Sequence, residues 1–124
     1  MKKFLIFTLV IASIISCSNN DDLPVIAACG VNNPVQELDW LKAEIERRKR
    51  NTTEDSQYCY IVQAMANERT IFLYKDCNPL VNKIIPIKDC SGASAGFLGD
   101  ENYPVERITM EEIIYRPADF NCRF

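Results

Sequence analysis

The pattern of hydrophobic and polar positions begins with one apolar run close to the N-terminus. Lys2 and Lys3 precede the run, and residues 4–15 contain only two polar side chains. A run of 12 residues is too short to span about 30 Å of hydrocarbon as a helix. The pattern therefore predicts a removable signal sequence rather than a membrane-spanning helix.

The end of this run resembles a bacterial lipobox, in which signal peptidase II cuts before a cysteine that receives diacylglycerol. Residues 14–17 read Ile-Ile-Ser-Cys. We therefore predict that residues 1–16 are a lipoprotein signal peptide and that Cys17 is lipidated and labelled by palmitate. Residues 18–22 are small, polar and acidic, so residues 17–28 are predicted to form a lipidated, flexible tether. The alternative is an ordinary secretory signal with an incidental cysteine.

After the tether, the hydrophobic period indicates a helix over about residues 34–49. Asn33 and Pro34 supply a helix N-cap and a proline at the first helical position. The apolar positions that follow share one helical face: Val35, Leu38, Leu41 and Ile45. Trp40 adjoins this face, and we expect it to be buried between the helix and the rest of the domain.

From residue 58 the hydrophobic period changes to two, which is typical of strands. Strands are predicted over residues 58–65, 70–74, 83–88, 95–98 and 113–115. Pro86 indicates that the third strand is an edge strand or is bulged. Thr109 and Glu112 form a candidate capping box for one helical turn. The predicted fold is a single α+β domain over residues 29–124, with an N-terminal amphipathic helix packed on an antiparallel sheet of about four or five strands.

Cysteine is spaced along the whole chain. If Cys17 is lipidated, five cysteines remain as disulfide candidates: Cys29, Cys59, Cys77, Cys90 and Cys122. An exported domain is oxidised, so at most two disulfides and one unpaired thiol are expected, with the connectivity left open. A hairpin with a three-residue loop at residues 67–69 would place Cys59 opposite Cys77. A loop that differs by one residue would separate that pair.

Composition and charge exclude several classes of function for this chain. The 124 residues are 48% hydrophobic and 25% charged, which fits one globular domain. Histidine is absent, which excludes Ser-His-Asp and Cys-His nucleophile systems and histidine-based metal sites. Removal of residues 1–16 lowers the basic residues from 14 to 12 against 17 acidic ones, a net charge of −5. We therefore expect no nucleic-acid partner, and we predict no metal and no cofactor.

Three further segments have candidate roles. The possible binding surface for a peptide or glycan consists of aromatic residues on the first two strands, which would otherwise be core: Tyr58, Tyr60, Phe72 and Tyr74. The basic run 47–50 is either a docking patch or a solvated helix end paired with Glu44 and Glu46. The glycine-rich residues 92–99 lack the Lys-Ser/Thr of a phosphate-binding loop, so a hairpin loop is predicted there.

Several motifs resemble those of a family of small lipoproteins from Gram-negative gut bacteria. They are Cys-Gly-Val-Asn-Asn-Pro at 29–34, Leu-Asp-Trp-Leu-Lys at 38–42, the strand segments 58–62 and 71–74, and Asp-Cys-Ser-Gly at 89–92. Cys17, Ser18 and the following acidic cluster also resemble the surface-export signal of such lipoproteins. The resemblance implies an outer-membrane lipoprotein on the periplasmic side or the cell surface, and it implies no activity.

Two functions fit these features. The first is a lipid-anchored, non-catalytic binding or inhibitor-like domain that contacts the membrane through the acyl chains on Cys17 and recognises a protein, peptide or glycan. The second is a small carboxylate-dependent hydrolase, which requires two acidic residues in one cleft and a raised pKa on one of them. The candidate carboxylates are Asp76, Asp89, Asp100, Glu101, Glu106, Glu111 and Glu112.

The lipoprotein prediction is tested by Cys17→Ala. This variant should lose labelling by radioactive palmitate and leave the membrane fraction, because the acyl chains are the predicted anchor. Ser18→Ala keeps the predicted attachment residue and should remain labelled and membrane-bound. Membrane retention of Cys17→Ala equal to that of the parent protein would contradict the prediction.

Overall fold

The structure is a computed structural model, and it describes residues 23–124. The predicted signal peptide, Cys17 and residues 18–22 of the tether lie outside the described residues. The helices are α1 (Pro34–Glu37) and α2 (Asp39–Arg50), and the strands are β1 (Cys59–Ala66), β2 (Arg69–Asp76), β3 (Pro86–Lys88), β4 (Ser94–Phe97) and β5 (Thr109–Tyr115). Short 3-10 turns occupy Glu54–Tyr58 and Val105–Arg107. Within residues 23–124, no helix is long and apolar enough to cross a membrane.

The strands form one antiparallel sheet with the order β4-β3-β2-β1-β5. With the helices at residues 34–50, this gives an α+β domain. A strap of residues 23–33 precedes the helices, so the helical segment does not begin the described chain. The strap contains an isolated bridge between Ala28 and Val31.

Both faces of the sheet are covered. The helix face packs against α2 and contains these buried residues: Leu41, Ile45, Ile61, Phe72, Ile114 and Tyr115. The opposite face contains Tyr60, Val62, Ala64, Ala66, Ile71, Leu73 and Ile87. Partly buried residues of loops and of the C-terminal segment cover that opposite face, among them Leu98, Tyr103, Ile108 and Phe120. Most of β1 is therefore buried although the sheet is antiparallel.

The predicted helix is interrupted at Leu38, whose backbone is extended with φ −87° and ψ 107°. Its N–H bonds to the Pro34 carbonyl at 3.0 Å and ends α1, and its own carbonyl accepts the Lys42 N–H at 2.9 Å within α2. Neither glycine nor proline marks this position. The interruption therefore depends on tertiary packing, in which Leu38 contacts the core of the helix face.

The hairpin between β1 and β2 has a two-residue loop, Asn67 and Glu68, with φ values of 50° and 61°. Two consecutive positive φ values are typical of a type I′ turn, which matches the twist of the strands. This loop pairs Cys59 with Asp76 rather than Cys77. The Cys59–Cys77 hypothesis is therefore wrong, because the loop is one residue shorter than it required.

The described residues contain two disulfides, Cys29–Cys90 and Cys77–Cys122. They confirm the prediction of disulfide bonds. Cys59 is the cysteine of the described range without a disulfide partner. Each disulfide joins residues that are distant in sequence, with separations of 61 and 45 residues.

Of two local predictions in the second half of the chain, the first agrees with the structure in its bulged alternative and the second needs correction. Pro86 is the first residue of β3, an inner strand, although a register shift follows it between Ile87 and Lys88. A proline at the first position of a strand removes no essential ladder bond, so an inner position is compatible with it. Thr109 and Glu112 lie in β5 and not in a helical turn, because pairing with β1 determines the conformation of this segment.

Trp40 lies against the turn that follows β3. Its indole N–H donates to the Cys90 carbonyl at 2.8 Å, and its ring meets Phe72 edge-on with centroids 5.2 Å apart. The ring is partly exposed, in contrast to the burial expected from sequence. Gly92 approaches the ring so closely that an added Cβ would lie 2.7 Å from it.

This contact predicts the effect of Gly92→Ala. The substitution places a Cβ against Trp40 at a φ of +82°, whereas Gly99 has a φ of +92° and open space around it. Left-handed strain of about 1–2 kcal/mol is common to both alanine variants. Overpacking should therefore destabilise Gly92→Ala by about 1–3 kcal/mol more than Gly99→Ala in urea unfolding. Equal losses in the two variants would show that Trp40 moves aside freely.

Candidate interaction site

The loop that joins β2 to β3, residues 77–85, exposes a group of aliphatic side chains to solvent. Leu80 is 91% exposed, Ile84 is 70% exposed and Val81 is 41% exposed. Three large apolar side chains are exposed within five residues of one loop, and a group of exposed apolar side chains is typical of an interaction surface. We call these three residues the aliphatic patch.

Asn78 fixes the chain at the start of this loop. It is 8% exposed, and its side-chain amide donates to Asp55 Oδ1 at 3.1 Å. Its side-chain oxygen accepts the Leu80 N–H at 3.0 Å, which makes a turn of the kind that asparagine favours. The aliphatic patch therefore begins directly after a buried, hydrogen-bonded residue.

The two ends of the loop are also tied together. Asp76 at the end of β2 forms an ion pair with Lys83 and accepts the Asn78 N–H at 2.8 Å. Burial disfavours the charge on Asp76, but the hydrogen bonds from Lys83 and from the Asn78 backbone hold the pKa of this carboxyl below its usual value. The Cys77–Cys122 disulfide adds a covalent link to the C-terminal segment. The loop therefore has a firm base beneath an exposed tip.

A groove of about 640 Å³ lies beside the base of the loop. The end of α2, the 3-10 turn Glu54–Tyr58 and residues 115–119 line it, and Lys83 reaches it from the loop. The groove carries charges of both signs, since Asp55 and Asp119 also line it. Its lining contains four basic and two acidic side chains, so cations are in excess there.

The basic run 47–50 contributes to this groove, and two glutamates of its own helix pair with three of its four cations. Arg47 and Arg48 both bind Glu44 at 2.7 Å. Lys49 binds Glu46 at 3.5 Å. The Arg48 guanidinium also lies 4.7 Å from the centre of the Tyr74 ring. These contacts support the interpretation of the run as a solvated helix end.

The thiol of Cys59 lies in the wall of the groove. It is 3.5 Å from the Asp55 carbonyl oxygen and 3.7 Å from Asp76 Oδ2. Burial and the neighbouring Asp76 carboxylate raise the pKa of this thiol. Cys59 is therefore protonated at neutral pH, which is the opposite of the activation that a nucleophilic cysteine needs.

The four aromatic residues of the predicted binding surface do not lie on one surface. Tyr60 is buried on the opposite face, where its ring is 5.5 Å from the ring of Phe120. Phe72 is fully buried on the helix face, and Tyr74 is partly buried on that same face beneath Arg48. Tyr58 is partly buried at the end of the 3-10 turn. The prediction of a shared surface was wrong, because the two-residue hairpin loop places Tyr60 and Phe72 on opposite faces, and both faces are covered.

The candidate carboxylates that make side-chain contacts in the structure have structural roles. Asp89 accepts hydrogen bonds from Ser91 and the Ala93 N–H, and Asp100 accepts the Phe97, Asn102 and Tyr103 N–H groups.

These hydrogen bonds lower the pKa of both carboxyls. The largest contribution comes from Ser91 at Asp89 and from the Phe97 N–H at Asp100. Glu111 forms an ion pair with Lys75 at 2.6 Å. In residues 23–124, no group of three or more His, Cys, Asp or Glu side chains is arranged to hold a metal ion. No contact here favours the hydrolase hypothesis.

In comparisons with known proteins, no family model matches the chain, and neither a curated protein nor a solved structure matches it. The resemblance to gut-bacterial lipoproteins therefore stays a prediction. The sequence reasoning did not identify the aliphatic patch, since Ile84 was assigned to a strand. The signal was the run Leu-Val-Asn-Lys-Ile at 80–84 after Asn78-Pro79, which is apolar yet follows a strong turn signal.

The thiol inventory gives a direct test of the cysteine arrangement. Denatured, unreduced protein that carries Cys17→Ser should react with one equivalent of a thiol reagent, and the further substitution Cys59→Ser should leave none. Native protein should react slowly, because Cys59 is partly buried. Mass spectrometry after alkylation and digestion would place the label on Cys59. A label on Cys77 or Cys122 instead would contradict the observed pairing.

Proposed function

We propose that the protein is a lipid-anchored, non-catalytic interaction domain that docks its aliphatic patch into an apolar cleft of a partner protein. The observation that carries this proposal is the exposure of Leu80, Val81 and Ile84 above a loop base fixed by a disulfide, an ion pair and Asn78. The proposed anchor is the set of acyl chains on Cys17, the last residue of the lipobox-like segment 14–17. The proposed location is the outer membrane, on its periplasmic side or at the cell surface.

A firm base makes the loop suited to binding. Association costs conformational entropy for every segment that must become ordered, and a loop that is already held loses less. Burial of a leucine or isoleucine side chain contributes about 1.5–3 kcal/mol each. Leu80 and Ile84 are the most exposed of the patch, so they offer the largest gain. An inhibitor-like mode, in which a held loop enters a cleft, is one form of this proposal.

Charge favours a protein partner over a lipid surface. The chain without residues 1–16 has 12 basic and 17 acidic residues, so anionic headgroups repel it. Lys83, the one basic residue of the loop, is paired with Asp76. A glycan partner is less well supported, because Tyr60 and Phe72 are buried and cannot stack on sugar rings. Two disulfides are typical of domains in oxidising compartments, which supports the proposed location.

The proposal predicts a loss of binding for the double variant Leu80→Ser/Ile84→Ser. A photo-crosslinking amino acid at Asn82, introduced in living cells of the source bacterium, should form an adduct with a specific protein. The double variant should reduce this adduct at least about tenfold, since two buried aliphatic side chains are lost. Its thermal stability should match the parent protein, because both side chains are largely exposed.

The matched control is the double variant Val105→Ser/Met110→Ser, which removes apolar side chains that are 62% and 76% exposed on other elements. It should leave the adduct unchanged. An adduct that survives Leu80→Ser/Ile84→Ser would contradict the proposal. Binding of the non-lipidated protein to phosphatidylcholine vesicles, abolished by the same double variant, would show that the patch recognises lipid instead.

A further inference from the structure

A second cavity, of about 290 Å³, lies on the helix face of the domain. Residues 23–26 of the strap form one wall, α1 and α2 supply others, and β1 and β5 contribute the residues of the sheet. Six of its thirteen lining residues are aliphatic, and Asn33, Gln36, Lys49 and Gln63 add polar groups: the aliphatic ones are Leu23, Val25, Ile26, Val35, Ile45 and Ile114. The cavity is thus a space with apolar and polar walls, and it lies between the sheet and a segment of chain that has no regular secondary structure.

Gln63 is the polar residue that β1 contributes to this cavity. It is 6% exposed, and its side-chain Nε2 donates to the Ile26 carbonyl of the strap at 3.3 Å. Its Oε1 is buried and has no hydrogen-bond partner among the described residues. A buried acceptor without a donor is unfavourable, so this amide is a poor choice for a purely structural position.

Exchanging the positions of the amide oxygen and nitrogen does not remove the unpaired acceptor. If Oε1 and Nε2 changed places, Oε1 would face the Ile26 carbonyl oxygen, and two acceptors would repel each other. The terminal torsion of a glutamine side chain has a broad energy minimum, so the amide can turn at little cost. Oε1 itself has an exposed area below 1 Å² as the side chain stands, so a donor in the cavity that adjoins Gln63 reaches it through such a turn.

We infer that this cavity binds a small, neutral and largely apolar molecule that donates one hydrogen bond to Gln63. The aliphatic walls select an apolar body, and the orphan acceptor selects a hydroxyl or amide N–H. A carboxylate or an ether has no donor and leaves Oε1 unpaired. The site does not depend on the aliphatic patch, because Gln63 and the strap contribute nothing to the β2–β3 loop.

The test uses two probes, 4-ethylphenol and 4-ethylanisole; methylation of the phenol removes the donor and adds one methyl group, whose effect the Gln63 variants separate from that of the donor. The sample is the full-length protein carrying Cys17→Ser, which is produced without acyl chains. Binding is followed by the methyl resonances of Val35 and Ile45, which line the cavity. We expect 4-ethylphenol to bind with a Kd on the order of 1 mM and to be preferred about tenfold over 4-ethylanisole.

Gln63→Leu should abolish this preference while binding of 4-ethylanisole persists, because the cavity remains but the acceptor is gone. Gln63→Met is a second variant in case the leucine disturbs the fold. Gln36→Leu is the matched control: Gln36 lines the same cavity but is exposed, so its variant should keep the tenfold preference. Absence of 4-ethylphenol binding at about 10 mM, or a preference that persists in both Gln63 variants, would overturn the inference.

Discussion

The constraint on which this domain depends is that a small sheet must be covered on both of its faces. The central strands β1 and β2 direct aliphatic and aromatic side chains to each side, so neither face is suited to solvent. One helix can cover only one face, and α2 does so through Leu41 and Ile45. The opposite face is left to loops and to the C-terminal segment, which have no regular secondary structure of their own to hold them in place.

The two disulfides meet this need, one on each face. Cys29–Cys90 joins the strap before α1 to the turn after β3, next to Trp40. Cys77–Cys122 joins the end of β2 to the segment that carries Phe120. In the chain-entropy model, closing loops of this length contributes about 4 kcal/mol for each disulfide. The irregular cover is therefore attached covalently, which is a common solution in small domains with limited cores.

The sequence predicted the positions of helices and strands more reliably than the pairing register between strands. The helix start at Asn33-Pro34 and both central strands agree with the structure, since capping residues and a period of two are local signals. The failed Cys59–Cys77 pair and the failed aromatic surface share one cause. A three-residue hairpin loop would place Tyr60 and Phe72 on the same face, whereas the two-residue loop places them on opposite faces. Turn length differs by one residue in these cases, and sequence does not resolve that difference.

The candidate site was beyond local reasoning for a different reason. Exposure of Leu80 depends on what covers the loop, and cover is a property of the whole fold rather than of residues 80–84.

The attachment of this loop explains why its exposure points to function. Asn78, Asp76 and the Cys77–Cys122 disulfide hold the loop base without any contribution from the side chain of Leu80, which is 91% exposed. A polar side chain at that position would serve the fold equally well and solubility better. The proposed function accounts for the apolar tip through contacts with a partner protein, and a held base would lower the entropic cost of making them.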